Sequence, residues 1–143
     1  MKKTLSYFLY TMLIACIVCA CSDSLNINQV YGFDLVTMPI PKKITQNETV
    51  EIRCKLIKGG NYSEAKYFIR YFQPDGNGQL RMDNGRTLSP NDLFPLTNDV
   101  FRLYYTSHCQ DQQTIDVYIE DNSGQVVQKT FSFQNESVKE EIE

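Results

Sequence analysis

Residues 49–57 read Thr-Val-Glu-Ile-Arg-Cys-Lys-Leu-Ile, and no other stretch limits the fold as tightly. Val50, Ile52, Cys54 and Leu56 fall on one side of an extended chain, while Glu51, Arg53 and Lys55 fall on the other. Side chains alternate with a period of two only in a strand, and charge at every second position requires one wet face. The sorting recurs. Residues 66–73 set Tyr67, Ile69 and Tyr71 against Phe68, Arg70 and Phe72; residues 100–106 place Phe101, Leu103 and Tyr105 on one side. Residues 114–120 set Ile115, Val117 and Ile119 against Asp116, Tyr118 and Glu120. Further strands are predicted over 31–36, stopped by Pro39 and Pro41, and over 126–133. Gly59-Gly60-Asn61, Pro74-Asp75-Gly76-Asn77-Gly78 and Asn122-Ser123-Gly124 read as turns between them. Asn84-Gly85 tolerates positive φ, so 80–82 and 86–88 are predicted to form a hairpin. Seven to eight short strands without a convincing helix define an all-β chain, expected to fold as an immunoglobulin-like β-sandwich. The core tryptophan common in that fold is missing, so Tyr67 or Ile69 is expected in its place.

The N-terminus carries a different signal. Lys2 and Lys3 are followed by an uncharged stretch from residue 4 to residue 21, and the chain turns polar at Ser22-Asp23-Ser24. A basic start, an apolar run and a small residue before the break mark an export signal. Val18-Cys19-Ala20-Cys21 at that break reads as a lipobox, with Cys21 as the expected lipid attachment site. Leu13-Ile14-Ala15-Cys16 fits the aliphatic-aliphatic-small pattern better, which keeps Cys16 as the alternative; Cys21 is preferred because the apolar stretch ends there. An uncleaved helix over 4–21 would span about 27 Å, slightly short of a bilayer core, and stays open as a third reading. Each version leaves the two lysines inside and exports the rest. The expected organisation is a signal peptide over 1–20, a lipidated polar tether over 21–29, a β-sandwich domain over 30–134 and an acidic flexible tail over 135–143.

Charge and cysteines narrow the function. The full chain has a formal charge of −3, and without the two signal lysines it retains 12 basic against 17 acidic residues. No basic cluster exceeds two neighbours, as at Lys42-Lys43, so direct nucleic-acid binding is not expected. Past the signal and Cys21, only Cys54 and Cys109 remain, one candidate disulfide in an oxidising compartment. Its loop of about 55 residues would contribute up to about 4 kcal/mol in the chain-entropy model. Cys54 is predicted inward; Cys109 has the parity of Ile115, but Asp111 and Gln113 between them are poor core residues, which places Cys109 more naturally in a loop.

Catalytic chemistry is not expected. His108 is the single histidine, and the mature chain has no Cys-x-x-Cys to complete a zinc set. Neighbours such as His108 and Cys109 normally point apart, so a Cys–His pair is disfavoured. Counting a calcium loop from Asp75 puts Arg86 at its twelfth position, where a glutamate is needed. Neither a Gly-x-Ser-x-Gly elbow nor a phosphate-cradling glycine loop occurs, and no metal or cofactor is expected. The aromatics are more informative. Phe68, Tyr71, Phe72, Tyr104 and Tyr105 put large rings on both sides of two strands, and tyrosine is enriched at interfaces. They form the candidate protein-interaction surface; cross-strand ring pairs that stiffen a sheet are the structural alternative.

Several stretches together resemble a known family. Residues 38–43 (Met-Pro-Ile-Pro-Lys-Lys), 51–54 (Glu-Ile-Arg-Cys), 69–76 (Ile-Arg-Tyr-Phe-Gln-Pro-Asp-Gly), 101–107 (Phe-Arg-Leu-Tyr-Tyr-Thr-Ser) and 111–118 (Asp-Gln-Gln-Thr-Ile-Asp-Val-Tyr) resemble the TraQ family of conjugative-transposon proteins from Bacteroides and relatives. The likeness covers roughly residues 30 to 133. His108-Cys109 departs from the polar pair expected there, which counts against the disulfide. The resemblance implies a role in an envelope-spanning mating apparatus and supplies no catalytic residues. The chain is therefore expected to be a non-enzymatic, lipid-anchored accessory or scaffold component of that apparatus. Its expected partners are other transfer proteins and, through the lipid, a membrane. Asp23 stands alone where surface-exported lipoproteins carry an acidic run, which favours an outer-membrane anchor facing the periplasm. The alternative is a surface lipoprotein binding carbohydrate or a partner cell.

Overall fold

The computed structural model describes residues 30–136 together with Lys3, Thr4 and Tyr7. Cys16, Cys21, the tether at 21–29, nearly all of the signal at 1–20 and residues 137–143 of the tail lie outside the described residues. Among the described residues no helix is long and apolar enough to cross a membrane.

The chain forms nine strands: β1 (Phe33–Thr37), β2 (Lys43–Ile44), β3 (Thr49–Lys58), β4 (Tyr67–Asp75), β5 (Gly78–Met82), β6 (Phe94–Leu96), β7 (Val100–Ser107), β8 (Gln113–Asp121) and β9 (Val126–Asn135). They build a four-stranded sheet in the order β1-β3-β7-β5 and a five-stranded sheet in the order β2-β9-β8-β4-β6. The result is an all-β, immunoglobulin-like sandwich. Two strands exceed the sequence expectation. β2 has two residues running parallel to β9, and β6 has three with Pro95 in the middle. Segments this short carry no readable period, and a strand proline is tolerated at a sheet edge, where β6 lies.

Inward positions follow the predicted parity. Val50, Ile52, Cys54 and Leu56 of β3, Phe101, Leu103 and Tyr105 of β7, Tyr67, Ile69 and Tyr71 of β4 and Ile115, Val117 and Ile119 of β8 are all buried in one core. Burying a side chain of this size contributes roughly 1.5–3 kcal/mol. The Tyr105 ring stacks on Phe133 across the two sheets at 5.4 Å. Tyr67 and Ile69 occupy the core as expected in a fold without tryptophan.

Two connections set the layer geometry. Asp75-Gly76-Asn77-Gly78 is not a hairpin: β4 and β5 belong to different sheets, and the turn carries the chain across the sandwich. Gly76 takes φ +77°, a left-handed value suited to glycine. Pro74 sits at a register shift between Phe72 and Asp75, a bulge that absorbs the missing N–H. The predicted Asn84-Gly85 turn does fold back: the N–H of Met82 donates to Arg86 O at 2.9 Å and that of Leu88 to Leu80 O at 2.9 Å. Only the single bridge Arg81–Thr87 forms, so residues 86–88 shield the β5 edge without becoming a strand.

Candidate functional site

The sequence-predicted aromatic surface divides three ways. Tyr71 is 2 % exposed and Tyr105 0 %; both point into the core and leave the candidate interaction surface. The reason is parity: Arg70 and Arg102 must face water, which turns residues 71, 103 and 105 inward. Phe68 and Phe72 lie on the outer face of the five-stranded sheet, whereas Tyr104 lies on the outer face of the four-stranded sheet. The five residues therefore do not make one patch.

On the five-stranded sheet the outward residues are interlocked. Arg70 lies opposite Tyr118, and Phe72 opposite Asp116. The Phe72 and Tyr118 rings meet edge to face at 5.6 Å, with the Arg70 guanidinium 5.6 and 5.7 Å from their centroids. Arg70 also closes an ion pair with Glu120. Thr130 Oγ1 donates to Asp116 Oδ1 at 2.5 Å. This is the cross-strand pairing of rings and opposite charges that stabilises an exposed sheet.

The outer face of the four-stranded sheet is different. Arg53 pairs with Arg102, Glu51 with Tyr104, Tyr104 with Arg81, and Lys55 lies between Val36 and Val100. Glu51 is drawn toward two cations, Arg53 at 2.5 Å and Arg102 at 3.9 Å. The hydrogen bond from Arg53, aided by the charges of Arg102 and Arg53, holds the Glu51 carboxyl below the usual range despite some desolvation. The Arg81 guanidinium lies 5.3 Å from the Tyr104 ring centroid. Val36, Ile57 and Val100 are exposed, at 49, 42 and 66 %.

A buried polar chain crosses one end of the sandwich, and sequence reasoning missed it. Gln73 Nε2 donates to Tyr105 Oη at 2.7 Å, Tyr105 Oη to Gln113 Oε1 at 2.6 Å, and Gln113 Nε2 to Ser107 Oγ at 2.7 Å. Ser107 Oγ in turn donates to Cys109 O at 3.0 Å. Gln113, rated a poor core residue, is fully buried because both ends of its amide are satisfied. Burial pushes the Tyr105 hydroxyl up to about 12. Gly78 makes room for that ring: a Cβ there would collide with Tyr105 Oη. The sequence signal was the parity of Gln113 with Ile115, which amide chemistry alone had outweighed.

The expected Cys54–Cys109 disulfide is corrected. Both are free thiols. Cys54 lies opposite Phe101, near the start of β7, whereas Cys109 follows the end of β7 at Ser107. Six strand residues separate those ends, about 20 Å, against the 7 Å limit between Cα atoms of a disulfide. Cys54 is buried, which pushes its thiol up to about 12. Cys109 Sγ instead accepts the N–H of Asn77 at 3.2 Å, and the N–H of His108 donates to Asn77 O at 2.8 Å. Among the described residues no group of three or more His, Cys, Asp or Glu side chains is placed to hold a metal ion.

A cleft of about 330 Å³ lies where the described chain begins, lined by Val30, Tyr31, Tyr62, Tyr67, Asp121 and Asn122, among others. Phe33 meets the Tyr67 ring edge-on at 5.1 Å, and Lys58 Nζ lies 4.9 Å from its centroid. Burial raises the Asp121 carboxyl, but hydrogen bonds from Ser123 and Gln125 more than offset it and leave it below its usual range.

Fold and surfaces together define a β-sandwich module with two accessible sheet faces. Residues 4–136 match the TraQ conjugal transfer protein family, and the chain belongs to it. Among solved structures, a conjugative transposon lipoprotein from Bacteroides eggerthii is similar at 45 % identity and a TM-score of 0.69, covering 73 % of this chain and 98 % of that one. A lipoprotein from Bacteroides thetaiotaomicron is 56 % identical with a TM-score of 0.69, covering 85 and 94 %. A conjugate transposon protein from Bacteroides vulgatus is 44 % identical with a TM-score of 0.67, covering 82 and 95 %. No curated protein matches the chain.

Proposed function

We propose that this chain is a non-enzymatic, lipid-anchored accessory or scaffold component of a conjugative transfer apparatus, working by contact with other transfer proteins. The observation that carries the reading is the family match over residues 4–136, joined by a relative named as a conjugative transposon lipoprotein. Cys21 is the proposed attachment site, with Cys16 as the alternative, on an outer-membrane leaflet facing the periplasm. Two or more acyl chains give stable attachment, each buried methylene contributing roughly 0.8 kcal/mol. The twelve residues from Cys21 to Phe33 at the start of β1 reach at most about 40 Å when extended, which keeps the sandwich close to its membrane.

Deleting the gene should lower transfer frequency while excision and nicking of the element continue; unchanged transfer would refute the role. Cys21→Ser should release the protein from membranes and lower transfer, whereas Cys16→Ser should do neither. The tyrosine-lined cleft favours a second reading, a surface lipoprotein that stacks sugars or a partner cell's surface on Tyr31 and Tyr62. Glycan binding with normal conjugation in the deletion strain would select it.

A further inference from the structure

We propose that the outer face of the four-stranded sheet docks an acidic surface of a partner protein. The proposal rests on the contact role above and names the surface that performs it. Its first support is charge. Residues 30–136 contain eleven Lys and Arg against thirteen Asp and Glu. On this face the balance reverses: Arg53, Lys55, Arg81 and Arg102 point outward beside Asp34, Glu51 and, just past the end of β5, Asp83. All three acids are engaged, Glu51 with Arg53 and Arg102, Asp34 Oδ1 with the N–H of Leu35 at 2.8 Å, and Asp83 Oδ2 with the N–H of Arg102 at 3.3 Å. Among the described residues, Lys55 and Arg81 have no carboxylate within ion-pair distance.

The second support is the apolar surface set among those cations. Val36, Lys55 and Val100 stand side by side on three neighbouring strands, with Ile57 next along β3. Three of the four cations are arginines, and one of them lies over a tyrosine. Arginine and tyrosine are the residues enriched at protein interfaces, whereas attraction to lipid headgroups is served by lysine point charges as well. A second copy of the chain would bring like charge against like, which costs affinity. Residues 86–88 cover the β5 edge against strand addition there. Four strands span about 19 Å and eight residues about 27 Å, the size of a small, exchangeable contact.

The test uses the full-length lipoprotein in donor cells. Arg53→Glu, Lys55→Glu and Arg81→Glu together should lower transfer about tenfold or more at normal membrane levels. Gln128→Glu, Ser132→Glu and Gln134→Glu on the opposite outer face should leave it within about twofold. A photo-crosslinking residue at Val100 or Gln79 should form adducts with an Asp/Glu-rich segment of an identified transfer protein. Those adducts should vanish in the triple reversal and return when that segment's acids are changed to lysine. Adducts to lipid, to a second copy or to a segment without acidic excess would overturn the proposal, as would adducts that survive the reversal. If deletion lowers transfer but the reversed protein restores it fully, the docking face is wrong and the transfer role stands. If deletion changes nothing, the transfer role fails, and the crosslinks decide the face independently.

Discussion

The two outer faces of this sandwich arise from the same alternation and end in opposite states. On the five-stranded sheet, Arg70 lies against Phe72 and Tyr118 and closes on Glu120, so its charge is paired within the sheet, although its buried Nε has no hydrogen-bond partner. On the four-stranded sheet, Lys55 and Arg81 have no ion pair among the described residues, and Val36 and Val100 stand in water beside them. The difference teaches that large aromatics on a strand do not by themselves mark an interface. Rings already matched across strands contribute to stability, and a surface with unmatched charge and apolar area is the better candidate for contact.

The largest effect that tests this comparison lies one residue beneath the interlocked face. Tyr71→Ala should destabilise the domain by about 3–5 kcal/mol, as aromatic truncation in a core does, while Phe72→Ala should cost about 1 kcal/mol. Denaturant midpoints of the two variants check it; equal losses would mean that the outer face is as structural as the core. Next comes the alkaline limit. Tyr105 and Cys54 sit beneath the basic face with folded values raised to about 12 from ordinary values of 10.0 and 9.0. Raised acids favour the folded state while protonated, so their contribution is complete below pH 9 and is lost as pH climbs through 9–12. About 3 kcal/mol should disappear for Tyr105 and about 4 kcal/mol for Cys54 over that window. Tyrosinate absorbance rising together with loss of the folded signal would show it; a phenolate titrating near pH 10 in a folded chain would contradict the burial. The smallest effect separates the faces themselves. A double-mutant cycle on Arg70 and Glu120 should give a coupling near 1 kcal/mol, and one on Arg53 and Glu51 a smaller one. The second coupling should also weaken more with salt, because that pair is more exposed.

Much of this was legible in the chain. Arg70 and Arg102 fixed which neighbours face water, so the inward Tyr67, Tyr71 and Tyr105 could be read despite rings at nearly every position. Reading Tyr71 and Tyr105 as surface residues went against that parity. Gln113 was misjudged for the opposite reason. Its parity was inward, and only the three-dimensional approach of Tyr105 and Ser107 supplied the partners that let an amide be buried.

By itself the sequence determined the longer strands, their inward and outward sides, the turn chemistry and the family. Each of these is written in residues at most a few places apart, or in their combination along the chain. Only the tertiary structure decided which sheet each strand joins. That choice put Phe68 and Phe72 on one outer face and Tyr104 on the other, and set Cys54 and Cys109 at opposite ends of β7. It also gathered Arg53, Lys55, Arg81 and Arg102 from three strands into one surface. Period-two alternation is local, but strand pairing depends on contacts between distant segments, and no short window of sequence encodes it.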